Sequence, residues 1–158
     1  MGRIKNRHIA FILLIFLQSS LVFAQSTYEK NYFQGGQLKS EGWVTKGKKN
    51  GYWKFYSSSG QLVKEGHIEN DIPVKYWFFY HSNGNVKAQG ELNGQEKTGW
   101  WLFYTNNGEL SEKSEYQLGK KNGYSIVYNS GKIVRVDKYE KDIKIKEWHS
   151  LEEYRNSH

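Results

Sequence analysis

The chain has 158 residues, 16 glycines, one proline, no cysteine and a formal net charge of +7. Without cysteine there are no disulfides, thiol nucleophiles or thiolate metal sites, and a lipidated N-terminal cysteine is excluded as well. The glycine and aromatic content (six Trp, twelve Tyr, eight Phe) suits strands and tight turns rather than disorder.

Residues 1–24 have the layout of a secretory signal peptide. Arg3, Lys5 and Arg7 make a basic start, Ile9–Phe23 is largely apolar, and Val22-Phe23-Ala24 offers small residues at the cleavage positions. The alternative is an uncleaved N-terminal anchor, although a bilayer span needs about 20 apolar residues and this run is shorter. Cleavage after Ala24 predicts an exported chain, periplasmic or extracellular. It would keep 20 basic against 16 acidic side chains, a charge of +4. That balance is ordinary for a soluble surface and gives no reason to expect nucleic acid as a partner.

From residue 25 onward a step of 24 residues dominates. It joins Trp53, Trp77 and Trp101, and Tyr32, Tyr56, Tyr80, Tyr104 and Tyr128. It also joins Gly36, Gly60, Gly84 and Gly108, and Gly42, Gly66 and Gly90. A fixed period of this length marks a repeat array in which each unit is one supersecondary element. A partial unit runs Tyr32–Val44. The first full one has an aromatic strand at Tyr52–Tyr56, a turn at Ser57–Gly60, a second strand at Gln61–Ile68 and a turn beginning at Glu69. The next two repeat the order at Tyr76–Tyr80, His81–Gly84 and Asn85–Leu92, then at Trp100–Tyr104, Thr105–Gly108 and Glu109–Tyr116.

Asn83-Gly84 and Asn107-Gly108 predict two-residue type I′ turns, which need positive φ at both central positions. The first turn sets Trp77 opposite Gly90 and Phe79 opposite Ala88, and the same rule sets Trp53 opposite Gly66. Each ring would cover the backbone its glycine leaves bare. Alternation puts Trp53, Phe55, Leu62, Gly66 and Ile68 on a core face. Tyr52, Lys54, Tyr56, Val63, Glu65 and His67 fall on the other. The predicted fold is all-β: an elongated, single-layer antiparallel meander of stacked β-hairpins over residues 25–140, with about four repeats and degenerate ends.

The last unit, Tyr124–Tyr139, has Ser125 where Trp is expected and a shorter turn, Asn129-Ser130-Gly131. Glu140–Lys146 alternates charge and apolar character as an edge strand would. Ser150-Leu151-Glu152-Glu153 has capping-box spacing. Residues 141–158 are thus either a cap, with a short helix carrying Leu151 and Tyr154, or a frayed tail.

The pattern Gly51-x-Trp53-x-x-Tyr56-x-x-x-Gly60-x-Leu62-x-x-x-Gly66 resembles the bacterial variant of the MORN repeat. The Gly47-Lys48-Lys49-Asn50-Gly51 loop and its copy Gly119-Lys120-Lys121-Asn122-Gly123 are similar to that family's loop. The likeness covers roughly Tyr32 to Tyr139 and departs at Asp71-Ile72-Pro73-Val74-Lys75, Ser114 and Ser125. The resemblance implies a β-hairpin array acting as a scaffold or binding module. Some bacterial members are named as antitoxins of toxin–antitoxin systems, and other MORN proteins are linked to membranes and protein partners.

The residues give no catalytic, cofactor or metal site. His67, His81, His149 and His158 lack ligand spacing and read as solvated surface side chains. Ser57-Ser58-Ser59 fill a turn slot, and the Gly47–Gly51 loop lacks the strand–loop–helix setting of a phosphate cradle. Two features remain as candidate binding residues. Lysines in the inter-repeat loops (Lys46, Lys48, Lys49, Lys75, Lys97, Lys120, Lys121) would line one edge and meet an anionic membrane or acidic surface. Tyr56, Tyr80, Tyr104 and Tyr128 form a strip for a protein partner or glycan, or else pack between hairpins. The function expected is a non-enzymatic scaffold for a protein partner or the envelope surface. An antitoxin- or immunity-like neutraliser is the second reading and a glycan-binding module the third.

Overall fold

The computed structural model describes residues 25–157, and the leader expected at 1–24 lies outside them. Eleven strands make one open antiparallel sheet in strict chain order. They are β1 Ser26–Tyr32, β2 Leu38–Thr45, β3 Lys48–Tyr56, β4 Leu62–Glu69, β5 Ile72–Tyr80, β6 Val86–Asn93, β7 Glu96–Tyr104, β8 Leu110–Gln117, β9 Lys120–Asn129, β10 Lys132–Glu140 and β11 Ile143–Trp148. One short helix, α1 Leu151–Asn156, follows. Sequential hairpins keep every connection local, so the pattern of rings and glycines is enough to order the strands. The sheet runs past the expected boundary at 140, because β11 pairs with β10. β1 supplies a full strand before the partial unit read from Tyr32.

Trp77 pairs with Gly90, Phe79 with Ala88 and Trp53 with Gly66, as the sequence register requires. The turn type expected at Asn83-Gly84 is a correction. Only Gly84 has positive φ, 87°. The Gly84 N–H donates to His81 O at 3.0 Å and the His81 N–H donates to Asn85 O at 2.9 Å. This is a three-residue loop closed by a left-handed glycine, not a two-residue I′ turn. A bulge between Phe79 and Tyr80 then shifts the register by one residue, restoring the pairing further along. Asn107-Gly108 behaves alike, with the Gly108 N–H on Thr105 O.

The same bulge corrects one face assignment. Leu62 pairs with Tyr56 rather than extending the Phe55 row, so it lies on the tyrosine face. Turns with positive φ at both centres occur instead at Lys46-Gly47, Asn70-Asp71, Leu118-Gly119 and Lys141-Asp142, between the expected units, and at Ser130-Gly131. The last replaces the three-residue turn read at Asn129–Gly131.

A second irregularity recurs on the odd strands. Between Gly66 and His67 the register against β5 jumps by two residues, looping out Lys75 and Tyr76. The left-handed residue there is Gly51 in β3, Lys75 in β5, Gly99 in β7 and Gly123 in β9. Lys75 therefore holds, at φ 60°, a place that glycine fills elsewhere.

Ser150 caps α1, its hydroxyl accepting from the Glu153 N–H at 3.0 Å, while Glu153 Oε2 accepts from the His149 N–H at 2.7 Å. Thus the capping-box spacing does build a helix, although its carboxylate reaches one residue further back than in the reciprocal box.

Candidate functional site

The two faces of the sheet are chemically unlike. On the first, Trp53, Trp77 and Trp101 are at most 1% exposed although no second sheet covers them among the described residues. Their burial comes from the neighbouring glycines. A Cβ on Gly42 would lie 2.4 Å from the Trp53 ring, on Gly66 2.3 Å from Trp77, and on Gly90 2.5 Å from Trp101. Each indole therefore lies over the glycine of the preceding hairpin, not over the glycine it pairs with in its own, which corrects the glycine each ring was expected to cover while the pairing itself stands. Each indole N–H also donates to the carbonyl just after that glycine: Trp43 O at 2.9 Å, His67 O at 3.1 Å and Glu91 O at 3.0 Å. The Trp77 N–H also donates to Val74 O at 3.1 Å, so its indole bridges β4 and β5 beside the two-residue bulge.

Phenylalanines interleave with these rings. Phe55 lies 6.1 Å from both Trp53 and Trp77, and Phe79 lies 6.3 Å from Trp77 and 5.8 Å from Trp101. Val44, Ile68 and Leu92 pack against this ladder. This face is the hydrophobic core.

The lysines expected to line one edge divide into two sets. Lys46, Lys48, Lys75 and Lys120 are exposed at turns or bulges. Lys49, Lys97 and Lys121 instead fold onto the core face, which corrects the continuous edge of charge. Lys49 Nζ sits 5.0 Å from the Trp53 ring. Lys97 Nζ sits 4.7 Å from Trp101, 4.8 Å from Phe103 and 4.9 Å from Tyr116. Burial, and then the charge of Lys121, hold the Lys97 ammonium below the ordinary lysine range. Lys121 donates to Glu112 at 2.5 Å. Burial alone would raise Glu112, but hydrogen bonds from Lys121 and Ser114 outweigh it and the carboxyl is lowered.

Where the tryptophan row ends, polar groups continue it. Ser114 pairs with Trp101 and with Ser125, and Ser125 pairs with Asp137. All three are at most 1% exposed. The Ser114 hydroxyl reaches Ser125 Oγ at 2.6 Å. Arg135 Nε donates to Asp137 Oδ2 at 3.1 Å, and Lys144 Nζ lies 3.2 Å from Oδ1 outside hydrogen-bond geometry. Loss of the large ring leaves room only for small hydroxyls and one carboxylate, which β11 covers with a cation.

The second face carries the tyrosines. Tyr56, Tyr80, Tyr104 and Tyr128 are half-buried. The Tyr56 hydroxyl donates to Glu41 Oε1 at 2.7 Å, and Tyr80 donates to Glu65 Oε1 at 2.5 Å. Gln89 Nε2 donates to the Tyr104 hydroxyl at 2.9 Å. These side chains therefore tie neighbouring hairpins together. Burial and then the Glu partner push the Tyr56 and Tyr80 phenols well up.

A second aromatic row, not singled out from the sequence, lies more open on the same face. Tyr28 is 49% exposed, Tyr52 36%, Tyr76 36% and Trp100 38%. Tyr124 ends the row beneath α1. The signal was present in the sequence, because these residues share the step of 24.

Among the described residues two histidines differ from plain surface groups, and the first, half-buried His67, meets the Tyr52 ring edge-on at 5.1 Å. His81 is half-buried, with Nε2 3.0 Å from Tyr104 O of the next loop. Among the described residues no three His, Cys, Asp or Glu side chains gather as metal ligands would.

No family model and no curated protein matches the chain. One similar solved structure is a chain in the crystal structure of accessory secretory protein 1,2 and 3 in Streptococcus pneumoniae. It has 12% identity and a TM-score of 0.32 over 82% of this chain. The present chain spans 24% of that chain's length, and a likeness at this level carries no functional argument.

Proposed function

We propose that this is an exported, non-enzymatic protein of the MORN-like repeat kind, with a period of 24 residues, that serves as a scaffold for a protein partner. The observation that carries the reading is the division of labour between the faces. One side of the sheet is sealed by its own rings, glycines and lysines. The other keeps Tyr28, Tyr52, Tyr76 and Trp100 36–49% exposed in one row. Partly exposed aromatic side chains with polar tips are what protein interfaces enrich, because they bury much area at little entropic cost. The basic and apolar leader at 1–24 supports export, and the resemblance of the Gly51–Gly66 pattern to the MORN variant supports a binding rather than a catalytic role.

The test is cross-linking of the mature chain in its own envelope, followed by mass spectrometry of what it captures. Reproducible protein adducts that vanish when Tyr52, Tyr76 and Trp100 become Ala are expected. Capture of lipid vesicles or wall glycan, with no protein adduct, would overturn the reading in favour of the membrane or glycan alternatives.

A further inference from the structure

On the second face β5, β7 and β9 each carry an aromatic residue followed two positions later by an apolar one, and this run of pairs begins under α1. Leu151 and Tyr154 of the helix share a cavity of about 240 Å³ with Tyr124, Ile126, Val136 and Trp100. Tyr154 meets Tyr124 edge-on at 5.7 Å. The seat does not stop at the helix. Trp100 and Leu102 stand in β7 at the positions Tyr124 and Ile126 hold in β9, and Tyr76 and Phe78 hold them in β5. In β3 the pattern breaks. Lys54 follows Tyr52 and pairs with Glu65 at 3.8 Å, and in β1 Lys30 pairs with Glu41 at 3.7 Å.

The strip is thus bounded by α1 at one end and by lysine–carboxylate pairs at the other. Between them lie Tyr76, Phe78, Trp100 and Leu102. Four strand spacings separate β5 from β9, roughly 19 Å, which is the length of a helix of about 13 residues. Between these aromatic–apolar pairs β6 and β8 place Glu91 and Glu115 opposite Tyr76 and Trp100, two carboxylates along one side, and Gln89 and Lys113 opposite Phe78 and Leu102, with Lys113 Nζ 4.7 Å over the Trp100 ring.

Resting on the protein-scaffold reading above, we infer that this strip seats an amphipathic helix of a protein partner, continuing the surface that α1 occupies. The helix presents an aliphatic and an aromatic residue three apart, as Leu151 and Tyr154 are, with basic residues beside them. Its apolar side chains fill the gaps between Trp100, Leu102, Tyr76 and Phe78 as those of α1 fill the gap beside Tyr124.

The probe is a 14-residue peptide carrying Leu and Tyr three apart in each of two heptads with flanking lysines, titrated into the mature chain and compared with a scrambled peptide. Saturable binding is expected, with amide shifts confined to β5–β9 on the second face. Trp100→Ala and Tyr76→Ala should each weaken it by about tenfold, and Trp100→Phe should retain most of it. Both positions are partly exposed, and unchanged thermal unfolding would show that the fold survives. Equal binding of the scrambled peptide, shifts on the tryptophan face, or displacement of the peptide by a soluble chito-oligosaccharide would overturn the inference.

A photo-cross-linker at position 100, compared with one at the exposed position 39, separates this idea from the scaffold reading in the native envelope. Protein adducts at 39 alone would sink the helix seat and leave the scaffold standing. Adducts at neither position would sink both. Adducts at 100 that map to an amphipathic segment are the expected result.

Discussion

At the scale of single residues, the fold depends on a ring lying where another residue's Cβ would be. Gly66 has ordinary strand geometry, so its role is space: an added methyl carbon would stand 2.3 Å from Trp77 Cδ2, an atom of a fully packed ring. Gly66→Ala should therefore destabilise the chain by about 1–3 kcal/mol, because the indole must shift and strain its hydrogen bond to His67 O. Chemical denaturation followed by tryptophan fluorescence measures this, and an unchanged midpoint would contradict it. Lys75 shows the converse. Its φ of 60° is expensive for a residue with a Cβ, and its ion pair with Glu69 at 2.7 Å is exposed. A left-handed residue costs about 1–2 kcal/mol, whereas an exposed pair contributes about 0–1 kcal/mol. Lys75→Gly should thus raise stability by about 0.5–1 kcal/mol on balance, measured by the same denaturation.

At the scale of the hairpin, the tyrosine–carboxylate links make stability depend on pH in two windows. The Tyr56 hydrogen bond is the main cause that lowers the Glu41 carboxyl from 4.5. A carboxyl depressed in the folded state contributes stability above its unfolded value, and that contribution is lost as pH falls below about 4.5. Tyr56 and Tyr80 are raised above 10.0, chiefly by burial and next by the carboxylate, so their contribution is complete below pH 10 and fades above it. Tyr56→Phe should flatten the acid limb of a stability-versus-pH curve while leaving the Tyr80 part of the alkaline limb. An acid limb identical to that of the parent would refute the link. The pairing register was legible from the sequence because the turn glycines and the Trp–Gly spacing both constrain it. The turn type was not. A two-residue loop, and a three-residue loop followed by a one-residue bulge, give the same pairs from Phe79 and Ala88 onward. Leu62 and the left-handed position of Lys75 were hidden for the same reason: alternation assumes a strand without bulges.

At the scale of the whole molecule, an open sheet must protect its ends. β11 carries Lys144 and Lys146 along one edge, and α1 buries Trp148 to 2% exposure beside Tyr124. Ending the chain after Glu140 would remove that tryptophan and leave buried Asp137 without Lys144, at a cost of about 3 kcal/mol or more. The midpoint of thermal unfolding should fall by roughly 10 °C or more, and an unshifted midpoint would mean the cap is dispensable. The sequence indicated this cap through the alternation over Glu140–Lys146, which becomes β11, and through the helix-start signal at Ser150. It did not reveal which face the helix covers, because that depends on the twist and bulges of strands it does not touch in sequence.

The central claim is that each indole lies on the glycine of the hairpin before it and donates to the carbonyl of the residue after that glycine. Nuclear Overhauser contacts in residues 25–157 test this most directly. The account predicts strong contacts from the Trp77 ring to the α-protons of Gly66, with those protons shifted upfield by the ring current, and likewise Trp53 to Gly42 and Trp101 to Gly90. Contacts from Trp77 to Gly90 alone, or glycine α-protons at ordinary shifts, would contradict it.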